Sequence, residues 1–205
     1  MSNQNTYTDI VNELQRSYEF FVEHFKLRDD RYKDVIVTVQ SGGRKSDSGW
    51  IGKSFWTSKE SSITELNISA EFLSSPIHDI LGTLLHQIAH LKNSIEFNID
   101  PIQKYHTKDF KKAAEYLGLG VSQVAGKGFA DTSVDKKALN AIKLLDPRKE
   151  VYCFSRVLDA TTTPIPTKKY LGIFIDQEYA ENLDRACKSL NLKKKEVVET
   201  YLKSF

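Results

Sequence analysis

An α+β fold is predicted by three features of the sequence. Residues 7–25 carry apolar side chains at three- and four-residue steps. Residues 34–69 hold three short strand-like segments, and a wide apolar stripe opens after Ser75-Pro76. The 205 residues, 40% apolar and 27% charged, have ordinary globular composition and are enough for one full core with a small appendage. No apolar run approaches the roughly 18 residues of a membrane span, so no membrane partner is expected. The opening Met-Ser-Asn-Gln-Asn is polar, so no secretory leader is expected. Two cysteines, Cys153 and Cys187, make no disulfide framework, so the expectation is a reduced, cytoplasmic setting. A net charge of +2 neither demands nor excludes nucleic acid.

The first helix rests on Ile10, Leu14, Tyr18, Phe21 and Phe25. Asp34 to Gln40, rich in Val and Ile, reads as a strand, and Ser41 to Gly49 as a Gly/Ser/Lys loop. Trp50 to Trp56 makes a second strand. Ile63 to Ser69 makes a third, with Thr64, Leu66 and Ile68 on one face and Glu65 and Asn67 on the other. Ser75 as a hydroxyl N-cap, followed by Pro76, starts a core helix of about 18 residues. Its stripe is Ile77, Ile80, Leu81, Leu84, Leu85, Ile88 and Leu91, with Asp79, Thr83, His86 and His90 in a polar row beside it. Thr107 to Leu117 reads as a helix ended by Gly118. Residues 119–134 read as Gly-rich and irregular, and Lys136 to Leu145 as a short helix stopped by Pro147. Residues 161–169, with two prolines and a threonine run, read as a linker. Beyond it, Tyr170 to Ile175 reads as a strand, with helices over Glu178 to Ser189 and Lys193 to Lys203.

His86 and His90 stand at i and i+4, one turn apart on one helix face, where two imidazoles reach a single ion. Zinc suits such a site, because imidazole is a good borderline ligand. His106, 16 positions after His90, is the candidate third ligand; Glu115 is a weaker alternative, more simply a solvated helix residue. A lone i, i+4 pair is as readily polar helix surface, and the third histidine and the apolar character of the helix favour the metal. Zinc peptidases with the pattern H-E-x-x-H use the glutamate as general base. Here that place is held by Gln87, an amide that takes up no proton.

These residues resemble the SprT-like (Spartan-type) zinc metallopeptidase family. The likeness runs from about residue 7 to 130. It includes Gly49-Trp50, Asn67-Ile68-Ser69, Leu84-Leu85-His86-x-x-x-His90-Leu91 and Tyr105-His106-x-x-x-Phe110-x-x-x-Ala114. The resemblance implies a zincin-like minimal protease core: a helix, a small antiparallel sheet and a metal-binding helix. It implies one Zn²⁺ on His86, His90 and His106, and makes Gln87 the replaced catalytic glutamate. It also implies protein substrates, in relatives often bound or crosslinked to DNA. With all three ligands kept, a Glu-to-Gln change reads as an engineered inactive form rather than a natural pseudoenzyme. A second metal site is not expected, because the region of Cys153 offers a single cysteine where many relatives carry paired ones. A metzincin is disfavoured, since the sole methionine is Met1 and that class needs a downstream Met-turn.

Residues 170–205 resemble a ribbon-helix-helix unit, which dimerises by pairing strands and places its ribbon in the DNA major groove. The positions that would face the groove, Tyr170, Gly172 and Phe174, offer no polar base readers. Lys193, Lys194 and Lys195 are the candidates for phosphate or partner contact, against a plain solvated helix start. A homodimer through this unit fits its apolar ribbon equally well. The Gly42-Gly43-Arg44-Lys45 loop, and Trp50, Phe55 and Trp56, are minor candidates for substrate or nucleic-acid contact, with a surface loop and core packing as the plainer readings. Glu65 is either an orienting carboxylate behind a ligand or an exposed strand residue.

The expectation is therefore a metallopeptidase domain at 1–160, a linker at 161–169 and a strand-helix-helix module at 170–205. Its function would be that of a base-deficient zinc metalloendopeptidase acting on protein, with DNA and a second copy as further partners. The alternative is a non-catalytic zinc-containing adaptor or DNA-binding protein.

Overall fold

The computed structural model describes residues 6–41, 48–57, 62–99, 105–153 and 155–156, with the backbone alone at 53–57 and 62, and five helical positions between 182 and 189. The chain divides into two compact units, 1–160 and 161–205. The first is α+β. Its order is α1 (Tyr7–His24), β1 (Val35–Gln40), β2 (Gly49–Thr57), β3 (Ser62–Ser69), α2 (Ile77–Phe97), α3 (Lys108–Tyr116), β4 (Leu119–Val124), β5 (Gly128–Val134) and α4 (Lys136–Leu145).

Thr6 starts α1 through a reciprocal cap: Asp9 N donates to Thr6 Oγ1, and Thr6 N donates to Asp9 Oδ2. The helix buries Ile10, Leu14, Tyr18 and Phe21. Together with Leu66 and Ile68 of β3 and the α2 stripe, these form one continuous core.

The three-stranded sheet has the order β1-β3-β2, with β1 parallel and β2 antiparallel to β3. The expected antiparallel sheet is thus mixed. The chain reverses into β2 and reverses again into β3, so β3 runs with β1 and lies between the other two. Facing pairs such as Val37↔Leu66 and Val39↔Ile68 form the apolar face. The other face of β3 is not solvated: Glu65, Asn67 and Ser69 are buried. Glu65 accepts hydrogen bonds from Thr38 Oγ1 at 2.6 Å and Gln40 Nε2 at 2.7 Å, which removes its reading as an exposed strand residue.

The helix α2 is longer than expected, 21 residues, and its N-cap is Pro76 rather than Ser75. The Pro76 carbonyl takes the Asp79 and Ile80 amides, and no side chain caps the helix. At the far end Lys92 stays buried by pairing with Glu96 and lying 4.5 Å over the Tyr116 ring. Asn98 then ends the helix in the left-handed region.

The largest departure is residues 119–134. They form the antiparallel hairpin β4–β5, with Leu119↔Val134 and Val121↔Thr132 in register and Gly126 in the turn at φ +74°. After α4 the chain returns across the unit as a strap. Arg148 Nε donates to the buried Glu13 carboxylate at 2.9 Å, Val151 is buried, and Arg156 N donates to Ala70 O at 2.9 Å.

In the second unit, positions 182, 183, 185, 187 and 189 are helical, within the helix expected over Glu178 to Ser189. The expected linker, the strand at 170–175, the second helix and Lys193, Lys194 and Lys195 lie outside the described residues. So do Gly42 to Lys45 and the side chains of Phe55 and Trp56. Trp50 is described and half-buried.

Candidate metal centre

The register of α2 puts His86 and His90 beside the apolar stripe, where both rings are half-buried. His106 reaches them from a different part of the chain. Its backbone is pinned to the start of β5: His106 N donates to Lys127 O at 3.0 Å, and Phe129 N donates to His106 O at 2.9 Å. This approach depends on Gly128. Its φ is +70°, and a Cβ there would stand 2.1 Å from the His106 carbonyl oxygen.

The outcome is a triangle of ring nitrogens. His90 Nε2 is 3.2 Å from His86 Nε2 and 3.1 Å from His106 Nε2, and the third side is 3.2 Å. An ion about 2.0–2.1 Å from each nitrogen in a tetrahedral site sets its ligands about 3.3–3.4 Å apart. The observed triangle is therefore close to one face of such a site. Three imidazoles cannot satisfy one another with protons at every side of the triangle, and a cation is the partner that suits three converging lone pairs. The donor set thus fits a metal ion. Among the described residues, it is the one group of histidine, cysteine and carboxylate side chains that lies close enough to hold one.

Burial disfavours the charged form of His86 and of His90. Burial, with His106 adding to it, lowers the His86 pKa from 6.5 to about 4. Burial, with both neighbouring imidazoles adding to it, lowers His90 to about 2. Phe110, itself buried, closes one side of the cluster, with ring centroids 5.1, 4.5 and 4.4 Å from His86, His90 and His106. It is carried there by α3, which Thr107 caps through Phe110 N. On the far side of the His86 ring, Nδ1 is 2.9 Å from Thr132 Oγ1 on β5.

Gln87 is buried on α2, and its Nε2 is 3.5 Å from where a Cβ on Gly49 would stand. The same Cβ would meet Thr83 Cγ2 at 3.0 Å, so Gly49 lets β2 approach the helix beside Gln87. Glu115 is not brought to the site: it is exposed on α3 and pairs with Lys111 at 3.6 Å. His24 and His78 stand apart from the cluster. The first stacks on Phe20, and the second lies 3.4 Å from Asp79. Sequence reasoning gave no role to Phe110, Gly128 or Thr132. The signal that was present is Gly126-Lys127-Gly128 between two short runs, a hairpin pattern.

Comparison of the chain with protein-family models, with curated proteins and with solved structures finds no match in any of the three. No described helix is long and apolar enough to cross a membrane.

Proposed function

We propose that this chain is a single-zinc metalloendopeptidase of SprT-like type, with a zincin-like core in residues 1–160, lacking its general base. The observation that carries the reading is the triangle of Nε2 atoms, 3.1–3.2 Å on a side, built by His86 and His90 of α2 and by His106. When bound there, zinc supplies Lewis acidity that polarises a peptide carbonyl and acidifies water. His86, His90 and His106 would hold the ion. Gln87 can orient a reacting group by hydrogen bonding, but its amide takes up no proton. The general-base contribution, about 10²–10⁴ in rate, is missing from the chain as it stands. The substrate in this reading is protein, with DNA as an associated partner. Residues 170–205 act as a ribbon-helix-helix-like unit that pairs chains or touches phosphates through Lys193, Lys194 and Lys195. The setting is cytoplasmic.

Gln87 itself favours a second reading, a non-catalytic zinc-containing adaptor or DNA-binding protein. Two measurements separate the possibilities. Elemental analysis should find about one zinc per chain, lost or weakened in His106→Ala. Zinc absent from both would end the metal-site proposal. Gln87→Glu should then cleave itself or casein, with or without DNA. A zinc-loaded Gln87→Glu protein that cleaves nothing under these conditions favours the adaptor.

A further inference from the structure

The His86 ring faces β5 on the side away from the histidine triangle. Gly82 and His86 lie one turn apart on the same face of α2. Val134 and Thr132 lie two apart on the same face of β5. The two pairs meet. A Cβ on Gly82 would stand 2.7 Å from Val134 Cγ2, so at this point the Val134 side chain fills the space between strand and helix. One step along, Thr132 Oγ1 sits 2.9 Å from His86 Nδ1. The same strand begins at Gly128, whose flanking amide and carbonyl groups hold the His106 backbone.

We propose that Thr132 is a positioning residue of the metal centre, and that the bare face of Gly82 admits the strand that carries it. In the tautomer that leaves Nε2 without a proton, His86 Nδ1–H donates to Thr132 Oγ1. That bond selects the ligand-competent tautomer and fixes the ring about its Cβ–Cγ bond, aiming Nε2 at the centre of the triangle. Partners of this kind on a ligating histidine typically change metal affinity 10–100-fold when removed. The role belongs to the hydroxyl rather than to the bulk of the side chain, which separates it from ordinary hairpin packing.

The inference rests on the metal reading, and its test distinguishes the two failures. Zinc affinity is measured by competition with a chromophoric chelator, on the full chain and on Thr132→Val and Thr132→Ser. Cobalt loading reports ligand geometry through its visible spectrum. The expected result is about 10–100-fold weaker zinc binding in Thr132→Val with an altered cobalt spectrum, recovery to near the parent value in Thr132→Ser, and no further loss from Thr132→Val in a His86→Ala background. Thr132→Val binding zinc as the parent does, Thr132→Ser binding as weakly as Thr132→Val, or an undiminished effect of Thr132→Val without His86 would each overturn the assignment. A parent chain that binds no zinc overturns the metal reading instead. Should Thr132→Val fail to fold, Gly82→Ala carries the test. It should weaken zinc binding, and Val134→Ala, which removes the obstructing methyl, should recover it. Parent-like binding by Gly82→Ala would sink the proposal.

Discussion

At the scale of single residues, Gly128 and Glu13 make the sharpest demands on the chain. Any side chain at 128 combines a left-handed backbone with a clash against His106 O. Gly128→Ala should destabilise the first unit by about 2–4 kcal/mol and displace His106, so urea unfolding and zinc affinity should suffer together. Glu13 is fully buried on α1. Burial alone would raise its pKa. The Arg16 and Arg148 guanidiniums, joined by Arg148 N, outweigh that and hold it below the usual carboxylate value. A depressed folded pKa stabilises the fold fully above about pH 4.5, and that contribution is lost as the pH falls through the folded value. Glu13→Gln should therefore cost about 1.5–3 kcal/mol at pH 7 and flatten the acid limb of a stability-against-pH curve. Equal loss at pH 7 and at pH 3 would refute this account. The two kinds of residue differ in legibility. The i, i+4 spacing of His86 and His90 announces its chemistry locally. Gly128 and Thr132 meet partners 22 and 46 positions away, in a segment with no periodicity to read.

At the scale of elements, α3 presents Phe110 to all three histidines while burying Ala113 and Ala114. Phe110→Ala should cost about 3–5 kcal/mol, as large-to-small changes in a core do, and should also loosen the ligand triangle. Phe110→Leu, which keeps most of the volume, should keep most of the stability; chemical denaturation of the two variants checks this. Helices were the legible elements: α1, α3 and α4 lie within a residue of their expected bounds, and α2 starts within a residue of where expected and runs on past its expected end. The hairpin β4–β5 was not legible. A two-stranded ribbon with exposed Ser122, Gln123 and Asp131 buries too little to show a clean alternation, and its glycines read as loop. The polar face of β3 misled for a related reason. Burial of Glu65 and Asn67 depends on cross-strand partners that no single strand displays.

At the scale of the whole first unit, the α+β class follows from the element types alone. The mixed order β1-β3-β2 does not, because strand pairing is decided by contacts far apart in sequence. The strap beyond α4 was equally hidden, since Pro147 stops the helix and no periodicity follows it inside the expected 1–160 domain. A fragment ending at Leu145 should lose the Arg148–Glu13 pair, the burial of Val151 and the Arg156–Ala70 bond. It should melt well below a fragment ending at Ala160; equal midpoints in thermal unfolding would show the strap to be dispensable. The strap also sets a clock on synthesis. Glu13 and Arg148 are 135 positions apart. At about 5–20 residues per second, the first helix leaves the ribosome about 7–27 s before its last partner exists. Until then its carboxylate has only Arg16 on its own helix to pair with. The nascent unit therefore holds its final shape only when nearly all of residues 1–160 have emerged.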